Sequence, residues 1–367
     1  MFHTRTWTLF HVRGIPIRAH WSLLLVVGYL AFALTYQFRA VAEFAGVDAR
    51  HVLPPVAWGI VLAVCVFASI LLHELAHAFM ALRYGGEVRG ITLMLVGGVS
   101  ELSRIPRRPA HEAAMAAVGP ATSLLLALAF GAVFATGRTL PDDVRMALFY
   151  LAATNAVLNV FNLLPAFPMD GGRILRALFA TRLTRTRATT IAARVGQVCA
   201  VLLAVVAVWT ANLLLGVVVV MIFLGARGEA FSEQVRASLD GVGIADIVPM
   251  APLPVNDVNQ SIQHAAERMR SLQRPDLVAV DASGAPVGVV DIDDLRRAPA
   301  ADSVGVLVSH LPRRHVEVPS DAPATDAIDR AATDRADHVI VTDPHSGLIV
   351  GVVTSEDLAR AIRLHAS

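Results

Sequence analysis

The chain reads as a polytopic α-helical membrane protein of about six transmembrane helices, followed by a C-terminal soluble α/β domain. Two observations carry this. The 367 residues are 55% hydrophobic and 17% charged, with a mean hydropathy of +0.58, too apolar for an ordinary soluble protein. The apolarity is also uneven: long uncharged runs such as Val61–Ile70 fill the first 230 residues, while the remainder has ordinary α/β composition. A third feature, His73-Glu74-Leu75-Ala76-His77, places three ionisable side chains inside one of the apolar runs. Such residues are costly in a membrane helix and call for a functional account.

The predicted spans are His20–Tyr36, Ala57–Leu82, His111–Ala135, Met146–Leu164, Ile191–Trp209 and Asn212–Leu224, each judged against the ~20 apolar residues that cross a bilayer core. The first follows Arg5, Arg13 and Arg18 without a small-residue cleavage site, so it reads as a retained helix. Arginines concentrate in the N-terminal tail, after the second span (Arg83, Arg89, Arg104, Arg107, Arg108) and after the fourth (Arg173, Arg176, Arg182, Arg185, Arg187, Arg194). The opposite loops mix Arg39, Arg50, Arg138 and Arg145 with acids. This bias puts both termini in the cytoplasm of a cell membrane. Net charge is +1, and every basic residue among the Lys and Arg is arginine; no nucleic-acid partner is suggested. Cys65 and Cys199 both fall in predicted spans and imply neither disulfide nor cysteine metal site.

On a helix, His73 and His77 stack one turn apart and can grip one metal ion, while Glu74 points about 100° round the axis, suited to work on water. With alternate spans reversing direction, the end of the fourth span returns to the same depth. There Asn162-Leu-Leu-Pro165-Ala-Phe-Pro168-Met-Asp170-Gly171-Gly172 breaks the helix. Asp170 either caps a helix beginning near Arg173 or completes a two-His, one-carboxylate set. Ile91–Leu102, β-prone with Gly97-Gly98 at its centre, is too short to span; it is an interfacial strand, or a re-entrant hairpin or loop lining the site, where its edge could pair with an unwound segment. Gly119-Pro120 reads as a packing kink. Asn155, Asn159 and Asn162 share a helix face; they serve as interhelical glue or offer a hydrogen bond to a substrate backbone or to the oxyanion, Asn162 being the favoured donor.

These motifs, in this order, resemble the site-2 protease family of intramembrane zinc metalloproteases, peptidase family M50. The carriers are HELAH at 73–77, GG at 97–98, GP at 119–120 and NLLPAFPMDGG at 162–172, with Met169 where the family often has Leu. The resemblance implies one catalytic Zn2+ on His73, His77 and Asp170, Glu74 as general base, and cleavage of a transmembrane substrate segment. Its substrate would be a single-pass membrane protein or a signal-peptide remnant. A membrane transporter or channel regulated by the soluble half is the competing expectation, but the outer halves of the spans are nearly free of ionisable residues. A catalytically dead scaffold would usually lack one of the four site residues.

After a polar linker (229–241), an internal repeat occurs. Gly288 and Gly351, and Asp294 and Asp357, share one offset of 63 residues. Gln260–Arg270 and Asp326–Thr333 read as helices, Leu277–Val280 and His338–Val341 as strands. The halves, 242–300 and 301–367 behind a membrane domain of residues 1–228, resemble a tandem pair of CBS domains. That family implies an adenine nucleotide in the cleft. Thr354 and Asp357 keep its Thr-x-x-Asp contact, whereas Asp291 replaces the Thr in the first half. The alternative is a purely structural module or one that joins two copies of the chain as a homodimer.

Overall fold

The computed structural model describes residues 6–94, 97–104, 108–250, 253–297, 303–310, 315–334 and 336–365. The chain divides into two compact units, Met1–Glu233 and Gln234–Ser367.

The first unit begins with β1 (Thr6–Val12) and β2 (Ile15–His20), then α1 (Ser22–Ala45), α2 (Pro55–Arg83), β3 (Glu87–Met94), β4 (Gly97–Arg104), α3 (Pro109–Thr136), α4 (Asp142–Asn162), α5 (Asp170–Ala180), α6 (Arg185–Trp209) and α7 (Leu213–Ser238). Six of these helices, all but α5, are long and apolar enough to cross a membrane. They match the predicted spans in number and order. The sixth is longer than its apolar core suggests: residues 229–238, expected as a linker, continue α7. The polar stretch GEAFSEQVRAS keeps good helix formers and has no breaker after Gly228. Aromatic packing joins α1, α2 and α4, where Trp58 sits edge-on between Phe38 and Tyr150.

The four strands form one sheet in the order β1-β2-β3-β4. β2 and β3 run parallel across a long connection that contains α1 and α2, and the other pairs are antiparallel. The stretch expected between Ile91 and Leu102 is therefore the β3–β4 hairpin, whose tip, 95–96, lies outside the described residues. The β1–β2 hairpin was not foreseen. Its strand TWTLFHV carries a bulge between Thr8 and Phe10 that breaks strict alternation. Ile15, Ile17 and Ile91 pack the sheet onto Leu75 and Ala78 of α2, so the sheet meets that helix at the level of its histidines.

The second unit repeats one pattern. Its first half contains β5 (Val255–Asp257), α8 (Ile262–Ser271), β6 (Asp276–Val280), β7 (Pro286–Asp291), α9 (Ile292–Arg297) and α10 (Val304–His310). Its second half contains β8 (His315–Pro319), α11 (Ala324–Asp334), β9 (His338–Thr342), β10 (Ile349–Thr354) and α12 (Ser355–His365). Each sheet is three-stranded, with one parallel and one antiparallel pair. In each half an aspartate folds the turn between the antiparallel strands. Asp281 accepts hydrogen bonds from Ser283 and Ala285, and Asp343 from His345 and Ser346. These bonds, chiefly from the Ser283 hydroxyl and the Ser346 N–H, hold both carboxyls below their usual range. The following glycines, Gly284 and Gly347, take φ of +85° and +69°. Val278 and Val289 of one half pack with Ile340 and Val352 of the other, joining the halves through their sheets.

Candidate metal centre

His73 and His77 come from α2, one turn apart on a stretch flanked by apolar residues, where nothing interrupts the helix. Asp170 is the first residue of α5, so the expected helix start near Arg173 is three residues too late. Delivery of Asp170 depends on the break after Asn162. The segment from Ala166 to Phe167 is wedged among Ala192, Ala193, Ala200, Ile222 and Ala226 of α6 and α7. Gly171 and Gly172 let α5 turn back against it: a Cβ on either would overlap the backbone of residues 163–167.

The three donor atoms converge. His73 Nε2 and His77 Nε2 lie 3.0 Å apart, and each lies 3.2 Å from Asp170 Oδ2. Ligands about 2.0 Å from a tetrahedral zinc sit about 3.3 Å from one another, so the set has the spacing of a single ion. The His77 tautomer agrees. His77 Nδ1 lies 2.6 Å from the carbonyl of Met115, which can only accept, so Nδ1 carries the proton and Nε2 offers its lone pair. His73 Nδ1 meets Ser123 Oγ at 3.0 Å. Both partners belong to α3, which can approach only because residue 119 is glycine: a Cβ there would overlap both Nε2 atoms. Gly119, expected as a packing kink, is thus part of the centre. These residues fit a zinc ion, and among the described residues they form the one His/Cys/Asp/Glu cluster with metal-ligand spacing.

Glu74 lies against β4. Ser100 Oγ donates to Glu74 Oε2 at 2.8 Å, and a Cβ on Gly98 would overlap Glu74 Cγ. Gly98 and Ser100 are two apart on one strand and so share a face. Sequence reading singled out Gly97 and Gly98 but missed Ser100, Ser123 and the Met115 carbonyl. An alternation of small residues in GGVS was the available signal for Ser100; nothing local marked the other two. Asn155 Nδ2 donates to Ser69 Oγ of α2 at 3.2 Å, the role of interhelical glue. Asn162, half-buried, ends α4 just before the break that delivers Asp170.

In the second unit, Thr354 and Asp357 cap α12. Thr354 Oγ1 donates to Asp357 Oδ2 at 2.8 Å, and the Asp357 N–H donates to Thr354 Oγ1 at 3.2 Å. Asp357 also lines a small cleft with Asp246, Ile247, Arg360 and His365. Asp291 and Asp294 form the corresponding reciprocal cap in the first half.

Comparison with known proteins gives the family. Residues 61–138 and 132–205 match Peptidase family M50, and residues 245–301 and 308–364 match the CBS domain. A Mycobacterium tuberculosis protein, Rip3, whose name describes a zinc metalloprotease, is 32% identical over 96% of this chain and 92% of its own length. The zinc metalloprotease MJ0392 of Methanocaldococcus jannaschii is 27% identical over 97% of this chain and 96% of its own. A solved site-2 protease from Methanocaldococcus jannaschii aligns at 28% identity over 62% of this chain and 95% of that one, with a TM-score of 0.43. With two histidines and an aspartate converging among apolar helices, and a relative alike along nearly its whole length, the chain belongs to peptidase family M50, as a multi-pass membrane zinc metalloprotease that carries a C-terminal CBS pair.

Proposed function

We propose that this protease cuts peptide bonds within membrane-spanning segments of anchored substrates, single-pass proteins or signal-peptide remnants. The observation that carries the reading is the position of the His73–His77–Asp170 cluster inside apolar helices, beside a sheet whose last strand, β4, touches Glu74. In this reading one zinc ion is held by His73, His77 and Asp170. When bound, it supplies Lewis acidity, lowering the pKa of water to about 7 and polarising the scissile carbonyl.

The chain's own residues do the rest. Glu74, held at Oε2 by Ser100, takes a proton from water at Oε1 and returns it to the leaving amine. Met115 and Ser123 hold both imidazoles with Nε2 directed at the centre. A helical substrate must unwind first, because its carbonyls are engaged in its own ladder. The freed segment adds to the edge of β4 at Gly97 and Gly98, with Asn162 donating to its backbone. Both termini face the cytoplasm, an orientation that rests on the arginine bias. The CBS pair serves regulation, with an adenine nucleotide at Thr354 and Asp357, where Arg360 is exposed beside the cleft and suited to a phosphate. A homodimer forms through the CBS domains.

The test is zinc content and cleavage of a model transmembrane substrate by the purified protein, beside Glu74→Gln and Asp170→Ala. Zinc kept with cleavage lost in the first, and zinc lost in the second, support the assignment. Cleavage that persists in Glu74→Gln overturns it.

A further inference from the structure

The zinc centre explains Asp170, His73 and His77, but not a second, larger group of charges in the same unit, buried at its middle. Glu112 of α3 is 4% exposed and Arg176 of α5 is 6% exposed. Arg176 Nε and Nη2 both lie 2.6 Å from Glu112 Oε1. The other oxygen of Glu112, Oε2, accepts from Arg185 Nη1 of α6 at 2.8 Å. From α7, Glu229 pairs with Arg176, and Glu233 Oε2 lies 3.3 Å from Arg185 Nε. Four helices, α3 and the consecutive α5, α6 and α7, thus meet in one alternating ionic chain. Buried ion pairs of this kind give little net stability over well-packed apolar residues. Their presence calls for a role in fixing geometry.

The placement of the two central residues identifies what is fixed. Glu112 lies one turn before Met115, whose carbonyl holds His77, and on the same helix as Ser123, which meets His73. α3 is therefore the helix that orients both histidines. Arg176 lies on α5, whose first residue is Asp170. Its guanidinium also stacks 5.1 Å over the ring of Phe167, in the loop that leads into Asp170. The Arg176–Glu112 pair is the charged link between the helix that orients two ligands and the helix and loop that deliver the third. A guanidinium suits this task, since its rigid fork fixes both distance and angle.

We propose that Arg176 and Glu112 are positioning residues for the metal centre, locking Asp170 at its separation from His73 and His77. This inference rests on the zinc assignment above. It predicts that breaking the link loosens the three-donor set although no ligand is touched. Outer partners of metal ligands typically matter by ~10–100-fold in affinity, and the expected loss for Arg176→Gln or Glu112→Gln lies in that range.

The experiment measures Zn2+ affinity of the full-length protein in detergent by chelator competition, with the visible spectrum of the Co2+-substituted protein as a second readout. Thermal unfolding of the metal-free protein is followed alongside. Wild type is measured first; if the folded protein takes up no zinc, the zinc assignment itself falls, and this inference with it. Given zinc in the wild type, Arg176→Gln and Glu112→Gln should each weaken binding about 10-fold or more and shift the Co2+ bands. The double variant should be no worse than the poorer single one, because the two act as a pair. Glu233→Gln, whose side chain pairs with Arg185 and not with Glu112 or Arg176, should leave affinity within about two-fold; this control separates positioning from general loosening of the bundle. Equal loss in Glu233→Gln, or unchanged affinity and spectrum in the two central variants, overturns the proposal. If Arg176→Gln does not fold, Arg176→Lys decides: it keeps the charge but not the fork, and a several-fold loss supports the role while no change overturns it.

Discussion

Ser100 Oγ donates a 2.8 Å hydrogen bond to Glu74 Oε2, tying a strand residue to the carboxylate that lies in sequence between His73 and His77. With Oε2 so engaged, Oε1 is the oxygen assigned to proton transfer in the proposed mechanism. Ser100→Ala should therefore lower kcat about 10-fold, in keeping with a hydrogen bond to a charged group, with KM and zinc content little changed. Ser100→Thr, which keeps the hydroxyl, should recover most of the loss. Steady-state kinetics on a transmembrane substrate, with zinc measured on the same samples, checks this.

Glu74→Gln keeps the shape of the side chain but cannot take a proton. Turnover should fall by about 10²–10⁴-fold, while zinc stoichiometry stays at the wild-type level. A loss of zinc in this variant would make Glu74 a ligand instead.

Gly119 faces both histidines closely enough that a Cβ would overlap each Nε2. Gly119→Ala should therefore weaken zinc binding and activity together, although position 119 carries no donor. The control is Gly131→Ala on the same helix, where a Cβ meets only ordinary contact at 3.9 Å. That variant should be close to neutral in zinc titration and cleavage.

Removal of the metal by a chelator should abolish cleavage, and stoichiometric Zn2+ should restore it. Asp170→Ala should fail to recover under the same treatment, since two imidazoles alone make an incomplete catalytic site.

In the second unit, Leu277 is fully buried in the core of the first half. Leu277→Ala should cost about 2–5 kcal/mol in the denaturant unfolding of that unit. The zinc content of the full-length protein should not change, because no residue of the metal centre belongs to that unit.

The legibility of this protein follows the range of the interactions involved. The six spans, the HELAH grip and the internal repeat rest on spacing along one helix or strand, and periodicity records such spacing directly. Asp170 was legible because alternating spans return the chain to one depth. The N-terminal hairpin was not: the bulge at Thr8–Phe10 disrupts its alternation, and its partner β3 lies some seventy residues further on. The helical extension to Ser238 was hidden because polar residues look alike in a linker and on an exposed helix.

By itself, then, the amino-acid order determined the membrane architecture, the ligand types and the chemistry they can support, since these follow from hydrophobic runs and i, i+4 spacing. Only the tertiary structure decided how that chemistry is aimed. Ser100 reaches Glu74 from a neighbouring strand, Met115 and Ser123 hold the imidazoles from another helix, and Arg176 finds Glu112 across 64 positions of chain. Such partners are chosen by packing between elements distant in sequence, and no local pattern of residues encodes them.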